Sequence, residues 1–392
     1  MKSIILLVCS TIFALLLAEG AVRLFSPVEL RIMGDQIILP RLKRYEISFE
    51  GAKRLEPHVL NSRNSLGFRG PEPRPDMSDV LSIVAVGGST TECFALAEDR
   101  DWPSVLGRLL SANFRDAWVN NAGLNGHTTR GHLLLLEQYL MELKPKVILF
   151  LIGLNDANFP YNSKTFDERI LDESRQGFIS RGFQKSRRWL LNHSHALALV
   201  VQTYRQMRAK EWGFVASEYE VDFRKVAETG NTPTAAQRAR ELETLVKADY
   251  YGFESRVRKL VELTHSIDAI PVFMTQPGLA GDAVDDATNL DLSKLIDSMA
   301  IRTELVNRRL IELSRELDFF VIDLASQMPK STNLYYDLWH FSNAGAEVVA
   351  EISYRSLCPY LAEQFPEQVI APCAVSAPMV FRDPGAPLSL AY

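Results

Sequence analysis

The stretch that decides the fold is LSIVAVGGST, residues 81–90. It begins as a continuous apolar run, passes through two glycines and then delivers Ser89. A short apolar run that ends in glycine is typical of a strand buried on both faces, as found in parallel sheets. Ser89 taken alone could be a polar residue of an ordinary strand-ending turn, so its meaning depends on the rest of the chain.

Buried strands alternate with amphipathic helices along the rest of this region. The further strand-like runs are AWVNNAG (117–123), KVILFLIG (146–153), IPVFMTQP (270–277) and FFVIDLA (319–325). The helical patterns cover residues 101–114, 128–145, 236–267 with a break near 250–252, 290–317 and 342–357. Asp101 with Pro103 marks the first helix start, and Ser342 or Asn343 caps the last. The pattern predicts an α/β protein with a parallel five-stranded sheet covered by helices on both faces.

Composition limits the classes of partner. The chain has 392 residues, 47% hydrophobic and 23% charged, which suits one large domain or two. The net charge of −5 comes from mixed signs without a basic stripe, so no nucleic-acid partner is expected. No glycine-rich phosphate loop is present, so a nucleotide cofactor is not expected.

The first 25 residues, MKSIILLVCSTIFALLLAEGAVRLF, differ from the rest. An uncharged apolar run covers residues 3–18, somewhat short of the roughly 20 residues of a spanning helix. The segment is either a signal peptide cut after Gly20 or an uncleaved anchor with Glu19 and Arg23 near the lipid headgroups. We favour the anchor because the charged region before the run is minimal. Both alternatives predict an exported chain with its body on the periplasmic or extracellular side.

The remaining segments follow from composition. Residues 26–80 are a lead-in rich in Pro, Arg and Gly, 81–357 are the α/β domain, and 358–392 are a tail. A largely helical insertion covers about 158–237 and carries an Arg and Lys cluster expected on a solvated face. Cys358 and Cys373 either close a disulfide loop or remain free thiols, and Cys93 is expected to be a packing residue.

Chemistry-bearing residues follow the strand ends. In a parallel α/β sheet, sites form beyond the carboxyl ends of the strands, which brings these residues to one rim. His340 is a candidate base for the Ser89 hydroxyl, and Asp337 could hold the other imidazole nitrogen. The backbone N–H groups of Ser89 and Gly123 and the side-chain amide of Asn155 are candidate oxyanion donors.

Each of these features has an ordinary structural explanation, since glycines make turns and Asn-Asp pairs cap helices. Their coincidence favours a site. His340 alone among seven histidines has an aspartate three residues earlier. Asn155-Asp156 is the one Asn-Asp pair in the sequence.

On these residues the sequence resembles an SGNH hydrolase, a GDSL-type esterase or lipase. Ser89 matches the serine block, Gly123 in Asn-Ala-Gly the glycine block, and Asn155 in Gly-Leu-Asn-Asp the asparagine block. Asp337 and His340 match the final block. The resemblance covers about residues 81–357. It implies a flavodoxin-like three-layer α/β/α fold with Ser-His-Asp catalysis and neither a metal nor another cofactor.

The sequence departs from the family pattern at the serine block. The usual Gly-Asp-Ser-Leu is Gly-Gly-Ser-Thr, with Gly88 in place of the acidic residue and Thr90 in place of leucine. We expect this difference to bear on substrate more than on catalysis. The insertion is longer than the family core needs and is expected to form a wall or lid of the pocket.

Other candidates are weaker. Side chains that could contact substrate are Thr90, His127, Gln276 and Trp339. His127 could instead be a polar residue at a helix start, and Trp339 could pack beneath the loop. His132 is expected at the surface of its helix. His193 and His195 are too unfavourably spaced on a helix for a metal pair.

The sequence therefore predicts an exported, membrane-anchored serine hydrolase of carboxylic esters. The resemblance and the anchor together favour O-acetyl groups of envelope or secreted polysaccharide as substrates. An O-acyltransferase that uses the same residues is an alternative, with a sugar hydroxyl in place of water. A non-catalytic envelope protein that binds glycan is the second alternative.

Overall fold

The computed structural model describes residues 2–25, 29–34, 36–158, 189–190, 192–211, 219, 221–229, 233–246 and 252–373. The chain forms two compact units. The first comprises residues 1–40 and 162–216, and the second comprises residues 41–161 and 217–392. The sheet predicted from the sequence lies in the second unit.

The central sheet has five strands, all parallel. They are β5 (Leu81–Gly87), β6 (Ala117–Asn121), β7 (Val147–Leu151), β8 (Ile270–Met274) and β11 (Phe320–Ile322). Their order across the sheet is β11–β8–β7–β5–β6. Each of them coincides with a predicted strand, so the α/β class and the five-stranded parallel sheet are confirmed.

The two central strands explain the sequence pattern. β5 and β7 are buried along their whole length, and Val84 pairs with Ile148 in the register between them. Helices cover both faces, so neither face needs polar residues. β5 pairs with β6 on its other side, and Ser89 therefore follows a strand in the interior of the sheet.

The helices of the described residues follow one another along both units. They are, in chain order, α1 (Lys2–Phe25), α2 (Ser89–Glu92), α3 (Trp102–Ser111), α4 (Thr129–Leu135), α5 (Met141–Leu143), α6 (Leu154–Asn158), α7 (His195–Glu211), α8 (Phe223–Thr229), α9 (Ala235–Val246), α10 (Phe253–His265), α11 (Ser298–Leu317), α12 (Leu324–Gln327) and α13 (Asn343–Gln364). A π-helical turn, Leu136–Leu140, joins α4 to α5. In the three-layer arrangement α3 packs against α13, while α4 and α11 pack against α10.

Helix starts follow the predicted chemistry. The Asp101 side chain accepts a hydrogen bond from the Ser104 N–H and caps α3. The Ser342 side chain accepts from the Gly345 N–H and caps α13. These bonds satisfy backbone donors that a helix leaves unpaired in its first turn.

Two helical predictions need adjustment, and a third is confirmed with its break. The helix expected from residue 290 begins at Ser298 because the Asp297 side chain caps it there, after a short strand and a 3₁₀ turn, Leu292–Leu295. The helix expected over 236–267 is divided into α9 and α10, as the predicted break requires. The last helix continues past residue 357 and ends at Gln364.

The insertion is described only in part. Residues 159–188, which include most of the predicted Arg and Lys cluster, lie outside the described residues. The described parts of the insertion contain α7, α8 and the start of α9, in agreement with a helical character.

The lead-in adds structure of its own. β1 (Ile32–Met33) pairs with β2 (Gln36–Ile37), and β3 (Arg44–Ser48) pairs with β4 (His58–Ser62), both antiparallel. A further antiparallel pair, β9 (Val284–Asp285) and β10 (Leu290–Asp291), follows β8.

The cysteines divide into two kinds. Cys358 lies in α13 and forms a disulfide with Cys373, with a Cα–Cα distance of 5.9 Å. This settles the alternative that the sequence left open. Cys93 is buried and unpaired, and burial raises the pKa of its thiol to about 12. It is a packing residue, as predicted.

In the first unit, α1 has no buried residue, and its residues 2–18 are exposed. It is long and apolar enough to cross a membrane, and a signal sequence would have the same properties. The unit also contains β1, β2 and α7.

Candidate active site

Ser89 is the first residue of α2, directly beyond the end of β5. The two glycines before it are needed because of close contacts. A Cβ atom at Gly87 would lie 2.1 Å from Thr91 Oγ1 and 2.5 Å from the carbonyl oxygen of Leu151. A Cβ atom at Gly88 would lie 2.6 Å from Asn155 Nδ2. The glycines therefore let the strand end pack tightly against its neighbours while it presents the serine.

Three side chains form a continuous hydrogen-bonded chain at this rim. Ser89 Oγ lies 2.7 Å from His340 Nε2. On the other side of the imidazole, His340 Nδ1 lies 2.6 Å from Asp337 Oδ2. The arrangement has the geometry of a nucleophile, a base and an acid that orients the base.

The loop after β11 fixes Asp337 and His340 relative to each other. Asp337 Oδ1 accepts hydrogen bonds from the backbone N–H groups of Trp339 and His340 at 2.8 and 2.7 Å. The Tyr336 N–H donates to the His340 carbonyl oxygen at 3.0 Å. A three-residue spacing therefore suffices because the carboxylate holds the backbone of the loop as well as the ring.

An aromatic ring covers one face of the imidazole. The rings of Tyr336 and His340 are nearly parallel, with an interplanar angle of 7° and a centroid distance of 5.4 Å. Burial raises the pKa of the Tyr336 phenol well above its ordinary value, so it remains a neutral packing surface. The stack limits rotation of the His340 ring and leaves its edge free to bridge Ser89 and Asp337.

Asn155 and Asp156 have separate tasks. The Asn155 amide donates one hydrogen bond to the His127 carbonyl oxygen, at 2.8 Å, and its Nδ2 carries a second hydrogen. The Asp156 carboxylate is buried, accepts from the Thr129 backbone and hydroxyl, and pairs with Arg256. Asp156 thus fixes α6 against α4 and α10, which positions Asn155 next to Gly88.

The structure does not support Gly123 as an oxyanion donor. Its N–H already donates to Asn121 Oδ1 at 2.9 Å. A Cβ atom there would lie 2.3 Å from the Glu92 backbone nitrogen. The residue is glycine because it packs directly beneath α2.

Gly126 is a residue that the sequence did not single out. Its φ of +78° favours glycine. A Cβ atom at this position would have no other atom within 4 Å. Among the described residues we find no hydrogen-bond acceptor for its N–H. The signal was present in the sequence as the second glycine of Asn-Ala-Gly-Leu-Asn-Gly.

The four candidates for substrate contact fall in different environments. Thr90 and Gln276 are each 2% exposed, and the Thr90 hydroxyl donates to Gln276 Oε1 at 3.0 Å. Their side chains hold α2 to the segment after β8. His127 is buried and contributes its carbonyl oxygen to Asn155. Trp339 is partly exposed.

Trp339 borders a pocket of 490 Å³ at the ends of β8 and β11. The lining combines this aromatic side chain with charged and amide groups, among them Arg238, Gln276, Asp282, Glu304, Asn307 and Lys330. Burial lowers the pKa of Lys330. Apolar side chains, among them Ile296, Ile301 and Ile311, also line the pocket, so its walls are mixed in polarity and include one aromatic ring.

His132 is not at the surface. It is 1% exposed, and burial, with a smaller contribution from His127, lowers its pKa to about 3. The helix period failed at this position because α4 is covered on both sides. His193 Nδ1 donates to the Trp189 carbonyl oxygen, and no metal-like cluster occurs among the residues that the structure describes.

Buried polar residues of the lead-in support α2 from below. Arg69 is 3% exposed and donates to the carbonyl oxygens of Glu92, Cys93, Leu96 and Ala97. It also pairs with Asp101 at 3.3 Å. Arg63 pairs with Glu92 at 2.8 Å. The lead-in, which lies outside the predicted domain, therefore helps to hold α2 in place.

Comparison with known proteins gives a family and a set of similar structures. A sequence model of the GDSL-like Lipase/Acylhydrolase family matches residues 85–348. No protein of curated function matches the chain. Axe2, an acetylxylan esterase from Geobacillus stearothermophilus, is 15% identical, with 70% of this chain and 93% of that chain covered and a TM-score of 0.39. LAE5, an alpha/beta hydrolase enzyme from the metagenome of Lake Arreo, Spain, is 16% identical, with the same coverages and a TM-score of 0.38.

Proposed function

Since the chain belongs to the GDSL-like lipase/acylhydrolase family and is an ester-bond hydrolase, we propose that Ser89, His340 and Asp337 are its catalytic triad. The observation that carries the proposal is the hydrogen-bonded chain from Ser89 Oγ through the imidazole to Asp337. We propose further that its substrates are O-acetyl groups on envelope or secreted polysaccharide.

The distances support a two-step acyl transfer. Ser89 Oγ attacks the ester carbonyl carbon while His340 Nε2 accepts its proton, and Asp337 stabilises the imidazolium through Nδ1. The imidazolium then gives the proton to the leaving alcohol, and the acyl group remains on Ser89. Water attacks the acyl-enzyme with His340 again as base, which releases the acid and restores the serine hydroxyl.

Charge on the carbonyl oxygen needs donors that are fixed before the reaction. We assign this task to the Ser89 N–H, the second Asn155 amide hydrogen and the Gly126 N–H. Gly126 takes the place first given to Gly123, because the Gly123 N–H is engaged by Asn121. Gly88 supports the assignment because it leaves Asn155 Nδ2 close to the strand end.

The pocket beside Trp339, which combines an aromatic ring with amide and charged groups, supports a glycan as the alcohol part of the ester. Sugar rings pack their C–H faces on aromatic rings and offer hydroxyls to amide and charged groups. The N-terminal helix supports export, which would place the site where O-acetylated glycans occur. O-acyl transfer to a sugar hydroxyl would use the same first step.

The test is hydrolysis of p-nitrophenyl acetate by the full chain in detergent. Ser89→Ala and His340→Ala should each lower kcat by roughly 10³-fold or more. Ser111→Ala is the matched control, since Ser111 is exposed at the end of α3 and its loss should leave kcat unchanged. Equal rates for the wild type and all three variants would contradict the proposed triad.

The substrate is tested separately with acetylated oligosaccharides. Trp339→Ala should raise KM for an acetylated oligosaccharide by about tenfold, or about 1.4 kcal/mol, while KM for p-nitrophenyl acetate should change little. A preference for long-chain acyl esters, with no release of acetate from any glycan, would contradict the substrate proposal and leave the triad intact. Acetyl transfer to added oligosaccharide in place of acetate release would identify an acyltransferase.

A further inference from the structure

Glu19, near the end of α1, is bound to the start of α7. Its carboxylate accepts hydrogen bonds from the backbone N–H groups of His195 and Ala196 at 2.9 and 3.0 Å. It also accepts from the Ser194 hydroxyl at 2.8 Å. A carboxylate in this position satisfies the unpaired donors of a helix N-terminus and complements its partial positive charge.

Arg23 completes the contact. Its Nε pairs with Glu19 at 2.7 Å, and its Nη2 donates to the His193 carbonyl oxygen at 2.8 Å. Both charged residues of α1 beyond the apolar run are therefore used to hold residues 193–196. A cut after Gly20 would remove the Glu19 carboxylate and with it the acceptor of the His195 and Ala196 N–H groups, so the contact favours a retained α1.

The same region exposes apolar side chains in an ordered pattern. Val200, Tyr204 and Met207 are 64%, 52% and 61% exposed, and their spacing puts them on one side of α7. Ala198 and Gln202 are buried. They lie on the opposite side of α7, where Gln202 donates to the Glu29 carbonyl oxygen.

Two residues that precede α7 extend this surface. Trp189 and Leu190 are also well exposed, and the Trp189 ring stacks on His193 with a centroid distance of 4.7 Å. We define the apolar face as Trp189, Leu190, Val200, Tyr204 and Met207. It begins beside the residues that Arg23 and Glu19 hold.

We propose that α1 is a permanent membrane anchor and that the apolar face lies on the lipid surface into which α1 inserts. Lipid is the expected partner of the apolar face because the face starts at the point of α1 where the apolar run ends and the charges begin. Its composition fits, since Trp and Tyr are enriched at the membrane–water boundary. Exposed apolar side chains at this spacing would be costly in water and are satisfied by lipid.

The test uses the full chain in phosphatidylethanolamine–phosphatidylglycerol vesicles. A Cys9→Ser background leaves buried Cys93 as the one free cysteine, and Tyr204→Cys then accepts an environment-sensitive NBD fluorophore. Val284→Cys, at an exposed apolar position of the second unit, is the matched control. Doxyl-labelled lipids report contact with the bilayer, and intact mass reports the N-terminus.

We expect a blue-shifted NBD emission at position 204 that doxyl lipids quench at least twofold more than emission at position 284. We also expect the mass of a chain that retains residues 1–20. Equal quenching at both positions would overturn the assignment of the apolar face to lipid. A mature chain that begins at residue 21 would overturn the permanent anchor. Neither outcome depends on the catalytic proposal, since no activity is measured.

Discussion

At the scale of single residues, the site depends on positions that leave no room for a side chain. Gly88 is the clearest case, because a Cβ atom there would lie 2.6 Å from Asn155 Nδ2. The acidic residue that the family pattern places at this position would not fit in this chain. The departure that the sequence showed at Gly88 therefore has a steric cause next to the proposed oxyanion donor.

Gly88→Ala should lower kcat for p-nitrophenyl acetate by about 10²-fold, because the new methyl group displaces the Asn155 amide from the position where it stabilises the oxyanion. Gly107→Ala, a glycine in α3 whose Cβ would crowd the Val119 side chain at 3.1 Å outside the proposed site, is the control. A Gly88→Ala enzyme with the kcat of the wild type would show that Asn155 does not act on the oxyanion.

Sequence predicted the chemical residues better than the packing residues. Ser89, Asp337 and His340 could be proposed together because their chemistry is specific and because parallel strands bring their ends together, and the His340 ring lies within hydrogen-bond distance of the other two side chains. Gly123 and Gly126 could not be distinguished in advance, since the choice depends on which N–H the Asn121 side chain occupies. His132 was misplaced because a helical period does not reveal a second covering layer.

At the scale of elements, α2 is held by the lead-in. The guanidinium of Arg69 bonds to four carbonyl oxygens just after Ser89, and it is charge-balanced by Asp101. Nothing in the local sequence predicts this contact, because a loop residue has no periodicity and its partners are distant along the chain. The sequence placed the domain start at residue 81, after these supports.

Arg69→Met should lower the free energy of unfolding by about 3 kcal/mol, because it leaves a buried carboxylate and several carbonyl oxygens without their donor. Urea denaturation followed by circular dichroism measures the change. Arg74→Met is the control, since the Arg74–Asp116 pair is largely exposed and should contribute less than about 1 kcal/mol. Equal losses for the two variants would show that Arg69 does not support α2.

The buried His132 in α4 gives the fold a dependence on pH. Its pKa is about 3 when folded, below the value of about 6.5 for an exposed histidine. The unfolded chain therefore binds a proton between these values and the folded chain does not. The resulting stability is complete above pH 6.5 and is lost as the pH falls toward 3.

Replacement of this histidine should remove its part of the pH dependence. The free energy of unfolding of His132→Leu should decline less steeply between pH 6 and pH 4 than that of the wild type. Over this range the wild type loses up to about 1.4 kcal/mol more per pH unit. Urea midpoints at several pH values measure both slopes. Parallel slopes for the two proteins would contradict the assignment of a neutral, buried imidazole.

At the scale of the whole molecule, the alternation of strands and helices along the sequence was sufficient to predict the fold class. Central strands such as β5 and β7 could be predicted because burial on both faces produces continuous apolar runs. The insertion could be predicted only as helical, since its contacts are not local. For the tail, the sequence left the Cys358–Cys373 disulfide open as one of two alternatives, and it did not predict that α13 continues to Gln364.

The Cys358–Cys373 disulfide should stabilise the second unit. Because it closes a loop with a sequence separation of 15 residues, the double variant Cys358→Ser/Cys373→Ser should lose about 3 kcal/mol of unfolding free energy. Wild type measured under reducing conditions should match the variant. A wild type that is equally stable with and without reductant would show that the bond does not contribute.

The central claim is that Ser89 is the nucleophile that His340 activates. Its most direct test is peptide mass mapping after reaction with a fluorophosphonate. We expect a single phosphonyl adduct on Ser89. The yield of this adduct should be strongly reduced in His340→Ala and unchanged in Ser111→Ala. An active wild-type enzyme whose adduct lies on a different serine, or whose Ser89 remains unmodified while activity is lost, would contradict it.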